Sequence, residues 1–150
     1  MAIEWPDAPE TSNMTLDVPD NWPTPPAGPP NILVSTIPFT VNIGWEVPPP
    51  INQFLGGSFQ LKIYVESVGP GQEQQIGQTL IVPVVAGQID YNSSINIPGR
   101  TLLGEGEVFP PTGDEVSGVY KIIAVLQHLN PGPTFVSGFA DVTLRMFLNP

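Results

Sequence analysis

The chain has 150 residues, enough for one domain whose core needs neither a metal nor a disulfide. Four Lys and Arg against fourteen Asp and Glu give a net charge of −10, which argues against nucleic-acid binding and against electrostatic docking on an anionic membrane. Cysteine is absent, which excludes thiolate chemistry and cysteine-ligated zinc, and no apolar run is long enough for a membrane-spanning helix.

Residues 1–30 are predicted to form an extended, acidic, proline-rich arm. They contain eight of the 20 prolines and no Lys or Arg, and proline favours extended backbone. The acidic, proline-broken start predicts no secretory signal. Four apolar side chains are unusual for a solvated tail: Trp5, Met14, Leu16 and Trp22. We predict that these four bind either the chain's own domain or a neighbouring subunit, because such side chains anchor interfaces. Removing the arm is expected to leave the domain folded.

Alternation of apolar and polar residues dominates residues 31–150 and predicts β-strands. In residues 39–47 and 59–66 the odd positions are apolar, which is typical of strands with one face on a core. Residues 119–129 are apolar on both faces, which is typical of a central strand. The other predicted strands cover residues 31–37, 76–85, 89–97 and 134–148. No stretch of the chain shows a helical apolar stripe with caps.

About seven strands separated by proline and glycine turns predict an all-β fold, a two-sheet antiparallel β-sandwich over residues 31–150. The segment Gly118-Val119-Tyr120-Lys121-Ile122, followed by an apolar strand and a hairpin, resembles the penultimate strand of immunoglobulin-like and fibronectin-type-III-like sandwiches. The resemblance implies that Tyr120 hydrogen-bonds back across the sandwich corner. It also implies that Ile122 occupies the position of the second cysteine of immunoglobulin domains. Trp45 is expected in the core, on the second strand.

Candidate catalytic groups are few. His128 is the single histidine, and it has neither a cysteine nor a second histidine as a partner, so we expect it at a strand end, facing solvent or hydrogen-bonded locally. The stretches Gly56-Gly57-Ser58 and Gly69-Pro70-Gly71 lack the lysine of a phosphate-binding loop and are interpreted as turns. We therefore expect neither enzymatic activity nor a bound cofactor.

Four loop carboxylates are candidate ligands for a cation. Oxygen ligands on loops suit calcium, although the spacing here matches no EF-hand, and solvated loop charges are the simpler interpretation. The carboxylates are those of Glu105, Glu107, Asp114 and Glu115.

The low charge content points to protein contacts. Only 12% of residues are charged, and a weakly charged surface packs against other protein copies with little charge desolvation. The sequence therefore predicts a non-catalytic, homo-oligomeric structural or interaction subunit that docks through its arm and sandwich faces. A virus or phage particle, a filament or a secretion-type apparatus would fit. The alternative is a module that binds carbohydrate or another ligand, with or without calcium, through exposed aromatics among Phe54, Tyr64, Tyr91 and Phe109.

Overall fold

The computed structural model describes residues 2–4, 12–22, 31–109, 113–141 and 144–149. Within these ranges the regular elements are β-strands and one turn of 3-10 helix at Ile51–Gln53, and no helix is long and apolar enough to cross a membrane. The strands are β1 (Ala2–Glu4), β2 (Ser12–Asp17), β3 (Ile32–Val34), β4 (Phe39–Glu46), β5 (Ser58–Ser67), β6 (Gln74–Pro83), β7 (Asp90–Ile97), β8 (Val108–Phe109), β9 (Asp114–Glu115), β10 (Val119–Leu129), β11 (Pro133–Asp141) and β12 (Arg145–Leu148).

The strands form the two layers of a sandwich. Strands β6, β5, β10 and β11 make one antiparallel sheet, in which β12 pairs with the first part of β10 and β3 lies parallel to β12. Strands β2, β4 and β7 make the other antiparallel sheet, and β8 and β9 form a separate hairpin. The predicted all-β, two-sheet sandwich is confirmed, with the last predicted strand divided into β11 and β12.

The core lies between the sheets and follows the predicted alternation. Every second side chain of β4, starting at Phe39, is buried, and the same holds for β5 from Phe59 to Ser67. Trp45 is 2% exposed, stacks on Tyr91 with ring centroids 5.4 Å apart, and meets the edge of Phe59 at 5.6 Å. The prediction that Trp45 is a core residue is therefore confirmed.

The first strands belong to the sandwich itself. Strand β1 pairs with both β11 and β2, and β2 pairs with β4, so this segment connects the edges of the two sheets. Met14 is 3% exposed in the core, and Leu16 packs against the core. These two residues therefore pack within their own domain, and Met14 is not available to a neighbouring subunit. Strands β1 and β2, which lie within the predicted arm of residues 1–30, are therefore part of the sandwich.

The physical reason is a short alternation that the surrounding prolines concealed. Met14, Leu16 and Val18 face inward, whereas Thr15 and Asp17 are exposed. Period two over five residues is a strand signal. The dense prolines around it favour extended backbone without specifying a partner, so they predict an arm and obscure the strand.

The residues after β2 are also fastened to the sandwich. The Asn21 side chain donates to the Val34 carbonyl oxygen at 2.9 Å and accepts from the Val34 N–H at 2.7 Å. Trp22 is half-buried, and its indole N–H donates to the Ile32 carbonyl oxygen at 3.0 Å. Trp22 thus contacts its own domain, one of the two predicted alternatives. Trp5 lies outside the described residues.

Tyr120 closes the corner that the family resemblance implied. Its side chain is fully buried, and its hydroxyl lies 2.9 Å from the Leu103 carbonyl oxygen, to which it donates, and 3.2 Å from Oε1 of Gln72. Burial, together with the negative charge of Glu107, raises the pKa of Tyr120 to about 12. Ile122, at the expected cysteine position, is also fully buried.

Candidate interaction site

One end of the sandwich exposes a group of apolar side chains. We call residues 48–57, between β4 and β5, the Phe54 loop. Phe54 is 81% exposed, and Val85 and Ile89, on the adjoining segment between β6 and β7, are 53% and 39% exposed. The two segments are hydrogen-bonded to each other, since the Val84 N–H donates to the Gly57 carbonyl oxygen at 3.0 Å. An exposed apolar group of this kind marks a candidate binding surface.

Asn52 fixes the Phe54 loop from one side. It is 4% exposed and lies in the 3-10 turn just before Phe54. Its carbonyl oxygen accepts from the Gly87 N–H at 2.8 Å, and its side-chain amide donates to the Gly87 carbonyl oxygen at 3.1 Å. Because this paired contact joins two loops, it holds Phe54 on the same frame as Val85.

His128 fixes the loop from the other side. It is 2% exposed, and Nε2 lies 2.6 Å from the Gly56 carbonyl oxygen. Since a carbonyl oxygen only accepts, Nε2 carries the proton. Nδ1 lies 2.9 Å from Oγ1 of Thr134. The expected local hydrogen bond is therefore present, whereas the solvent-facing alternative is wrong because the ring packs between the loop, Phe59 and β11.

Gly57 permits the close approach of the loop to β10. Its φ of +81° lies in the left-handed region, and a Cβ at this position would lie 2.0 Å from the Leu129 carbonyl oxygen. A side chain would therefore push the loop away from the sheet. Together with Asn52 and His128, Gly57 gives Phe54 a rigid base.

Tyr91 and Tyr64, two other aromatic residues predicted as ligand contacts, are not exposed at this end of the sandwich as Phe54 is. Tyr91 is 3% exposed in the core, and its hydroxyl bonds to the Val85 backbone, accepting from the N–H at 3.0 Å and donating to the carbonyl oxygen at 3.2 Å. Burial therefore rules out Tyr91 as a ligand platform. Tyr64 is half-buried on the outer face of the four-stranded sheet. The side chain of Phe109 is not among the described ones.

A polar groove crosses the outer face of the three-stranded sheet. It measures about 300 Å³ and is lined by Asn13, Thr15, Glu46, Asp90 and Asn92, among others. Gly44 forms its floor, since a Cβ there would lie 2.8 Å from Oγ1 of Thr15 and 3.1 Å from Oδ1 of Asn92. Trp45 and Tyr91 also line the groove, but both are buried, so the groove presents hydrogen-bonding side chains and no exposed aromatic ring.

The candidate cation ligands do not converge. Glu107 uses Oε2 to accept the Gly104 N–H at 2.7 Å, which closes its own turn. Glu105, Asp114 and Glu115 are exposed. In the part of the chain that the structure describes, no group of three or more acidic or histidine side chains is placed to hold a metal ion.

The sequence pointed to Phe54 but not to the residues that support it. The sequence predicts Phe54 as a loop aromatic. It gives no signal for the contact between Asn52 and Gly87, because they are 35 residues apart and lie in loops without periodicity. The one local signal was a glycine pair, Gly56-Gly57, directly after the exposed aromatic.

Comparisons with known proteins give a distant structural similarity. No protein-family model and no curated protein matches the chain. Among solved structures, β-glucosidase from Listeria innocua in complex with glucose is similar over 93% of this chain, with a TM-score of 0.49 and 10% identity. The same enzyme in complex with isofagomine gives a TM-score of 0.47, with the same coverage and identity. This chain spans 17% of the length of those chains. At this identity and TM-score the similarity carries no inference about activity.

Proposed function

We propose that this protein is a non-catalytic interaction subunit that docks into a larger protein assembly through the Phe54 loop. The observation that carries the proposal is an aromatic side chain, 81% exposed, on a loop fixed by buried Asn52 and His128. A rigid aromatic anchor loses little conformational freedom on binding and is typical of interface hot spots.

The surroundings of Phe54 suit a protein partner. Val85 and Ile89 extend the apolar surface on the neighbouring segment. The residues between Glu46 and Ser58 include no charged side chain, and neither do those between Val82 and Ile89. A partner can therefore cover this end without desolvating a charge, which is the composition expected for the centre of an interface.

Burial of the one histidine supports a non-catalytic role. Both ring nitrogens of His128 are engaged, with Gly56 and with Thr134, and the ring is 2% exposed. General acid–base catalysis needs a group that can reach a substrate proton. His128 instead holds a loop in place.

Site-specific photo-crosslinking tests the proposal in the cells that produce the protein. A photoreactive phenylalanine analogue replaces Phe54 in one variant and Asn96, which is exposed on the three-stranded sheet, in a matched variant. We expect one discrete protein adduct from position 54 and none of the same mass from position 96. The same adduct from both positions, or no discrete adduct from position 54, would contradict the proposal.

A substitution gives the second test. Phe54→Ser removes the anchor without changing the core, so the urea unfolding midpoint should stay unchanged. The protein that cross-links to position 54 should no longer co-purify with this variant. Asn96→Ser is the control and should retain the partner. Retention of the partner by the Phe54→Ser variant would show that the Phe54 loop is not the docking site.

The polar groove favours a second candidate function, the binding of a hydroxyl-rich ligand such as a carbohydrate. Asn13, Thr15, Asp90 and Asn92 offer donors and acceptors along one open groove. Calorimetric titration with neutral oligosaccharides tests this alternative. Saturable binding that Asn92→Ala abolishes and Phe54→Ser leaves intact would support it, and absence of heat in the millimolar range would remove it.

A further inference from the structure

The outward face of the four-stranded sheet carries several large apolar side chains among its polar and charged ones, although it lies on the outside of a two-layer sandwich. In β10 the even-numbered residues are buried and the odd-numbered ones face outward, so Ile123, Val125 and Leu129 lie on the outer face. Phe139 pairs with Val125 from β11 and is 54% exposed. Tyr64 pairs with Ile123 from β5. Antiparallel sheets with one solvated face normally place polar side chains on that face.

Ile81 extends this surface to the sheet edge. It lies on β6, pairs with Gln60 of β5 and is 50% exposed. We call the outward side chains of β5, β6, β10 and β11 the outer face. Its large apolar members are Tyr64, Ile81, Val119, Ile123, Val125, Leu129 and Phe139.

The opposite side of the same sandwich shows that this composition is specific to one sheet. The outward positions of the three-stranded sheet hold no large apolar side chain among the described residues. They are Asn13, Thr15, Asp17, Thr40, Asn42, Gly44, Glu46, Asp90, Asn92, Ser94 and Asn96.

Charge is also divided between the two sheets. The outer face carries Lys62 and Lys121, two of the four basic residues of the chain, with Glu66 and Asp141 as its acids. Lys121 Nζ and Asp141 Oδ2 lie 2.8 Å apart. The strands of the other sheet carry three acids and no base. In a chain of net charge −10, the outer face is therefore a neutral surface.

We propose that a second copy of this chain packs face to face on the outer face. Two copies of net charge −10 repel each other, and the repulsion is smallest where each presents a balanced surface. In a two-fold arrangement the same surface meets itself, so the lysines of one copy can approach the acids of the other. A basic partner would instead be attracted to the acidic three-stranded sheet.

The size of the surface is sufficient for a dimer. Four strands spaced about 4.8 Å apart, with about ten residues each at about 3.3 Å, cover roughly 600 Å² in projection. Stable interfaces bury about 600–1,000 Å² per partner, and a side-chain surface has more accessible area than its projection. The outer face and the Phe54 loop are different surfaces, so this inference does not rest on the proposed function.

Sedimentation velocity over a wide concentration range tests the proposal with the full chain. The unchanged protein should be a dimer, and Phe139→Glu should weaken association at least tenfold while leaving the unfolding midpoint in place, because Phe139 is half exposed. Asn96→Glu adds the same charge to the other sheet and should leave the dimer intact. Ile81→Glu is the second variant if Phe139→Glu does not fold.

A cross-linking measurement locates the contact. Because the chain has no cysteine, a single introduced cysteine reports only on its own position. Val125→Cys, at the centre of the outer face, should form an intermolecular disulfide under mild oxidation, and Ser94→Cys should not. A monomer at all concentrations, a dimer that Phe139→Glu and Ile81→Glu both leave unchanged, or faster cross-linking from position 94 would each overturn the proposal. Phe54→Ser should not alter the dimer.

Discussion

The hydroxyl of Tyr120 donates a 2.9 Å hydrogen bond to the carbonyl oxygen of Leu103, 17 residues earlier in the chain. We expect Tyr120→Phe to lower the free energy of unfolding by about 1–2 kcal/mol, because the change leaves a carbonyl oxygen without its partner inside the protein. Tyr64→Phe is the matched control and should change stability by less than about 0.5 kcal/mol. Urea unfolding at neutral pH measures both, and equal effects would contradict the role given to the Tyr120 hydroxyl.

The same residue predicts how stability changes at alkaline pH. Its pKa is raised from 10.0 to about 12 in the folded protein, mainly by burial, so folding favours the protonated form. This contribution is complete below pH 10.0, the unfolded value, and is lost as the pH rises through about 12. This difference in pKa corresponds to roughly 3 kcal/mol of stability. Urea unfolding at a series of alkaline pH values should therefore show a fall that Tyr120→Phe lacks.

Two further observations check this assignment. Asp141 raises the pKa of Lys121 through a hydrogen bond and its negative charge, so Lys121 also titrates in the alkaline range. Lys121 does so in both the unchanged protein and the Tyr120→Phe variant, so the difference between their stability curves isolates the contribution of Tyr120. The tyrosinate absorbance band should show one of the three tyrosines ionising near pH 12. A midpoint near pH 10.0 for all three tyrosines in folded protein would contradict the raised pKa of Tyr120.

Trp45 gives a prediction about the core. Trp45→Ala should cost about 3–5 kcal/mol, because it removes a buried ring that stacks on Tyr91 and meets Phe59. Trp45→Phe should cost only about 1–2 kcal/mol. The indole N–H has no hydrogen-bond partner among the described residues, so phenylalanine removes a buried donor together with some packing. Denaturant unfolding of both variants checks the order, and a loss below about 1 kcal/mol for Trp45→Ala would place the ring outside the core.

Met14 tests whether the first strands are structural. Met14→Ala should lower the free energy of unfolding by about 2–4 kcal/mol, because the side chain is 3% exposed in the core. Thr15→Ala, on the exposed side of the same strand, should cost less than about 1 kcal/mol. Deletion of residues 1–22 should destabilise the protein more than Met14→Ala does. A deletion variant as stable as the full chain would support the earlier expectation of a separable arm.

The parts of the fold that could be predicted are those with a local signal. Alternation placed β4 and β5 and their buried faces, and the resemblance of the segment around Tyr120 to immunoglobulin-like sandwiches placed the corner. Strand β2 was missed because its alternation is short and lies among prolines. Strand β10 was recognised as apolar on both faces, but no sequence pattern shows whether an outward face is covered. That depends on the number of layers, and here the outward face has no third layer among the described residues.

The contacts of the Phe54 loop could not be predicted, because they join loops that are distant in sequence. A substitution of Asn52 tests whether these contacts hold the loop. Asn52→Ala removes the side-chain bond to the Gly87 carbonyl oxygen and leaves a cavity under the 3-10 turn, so it should cost about 1–2 kcal/mol. It should also speed amide hydrogen exchange at Phe54 and Gly87 while exchange in β10 stays unchanged. Gln53→Ala, on an exposed neighbour, should do neither. Unchanged exchange at Phe54 would show that the loop does not depend on this contact for its rigidity.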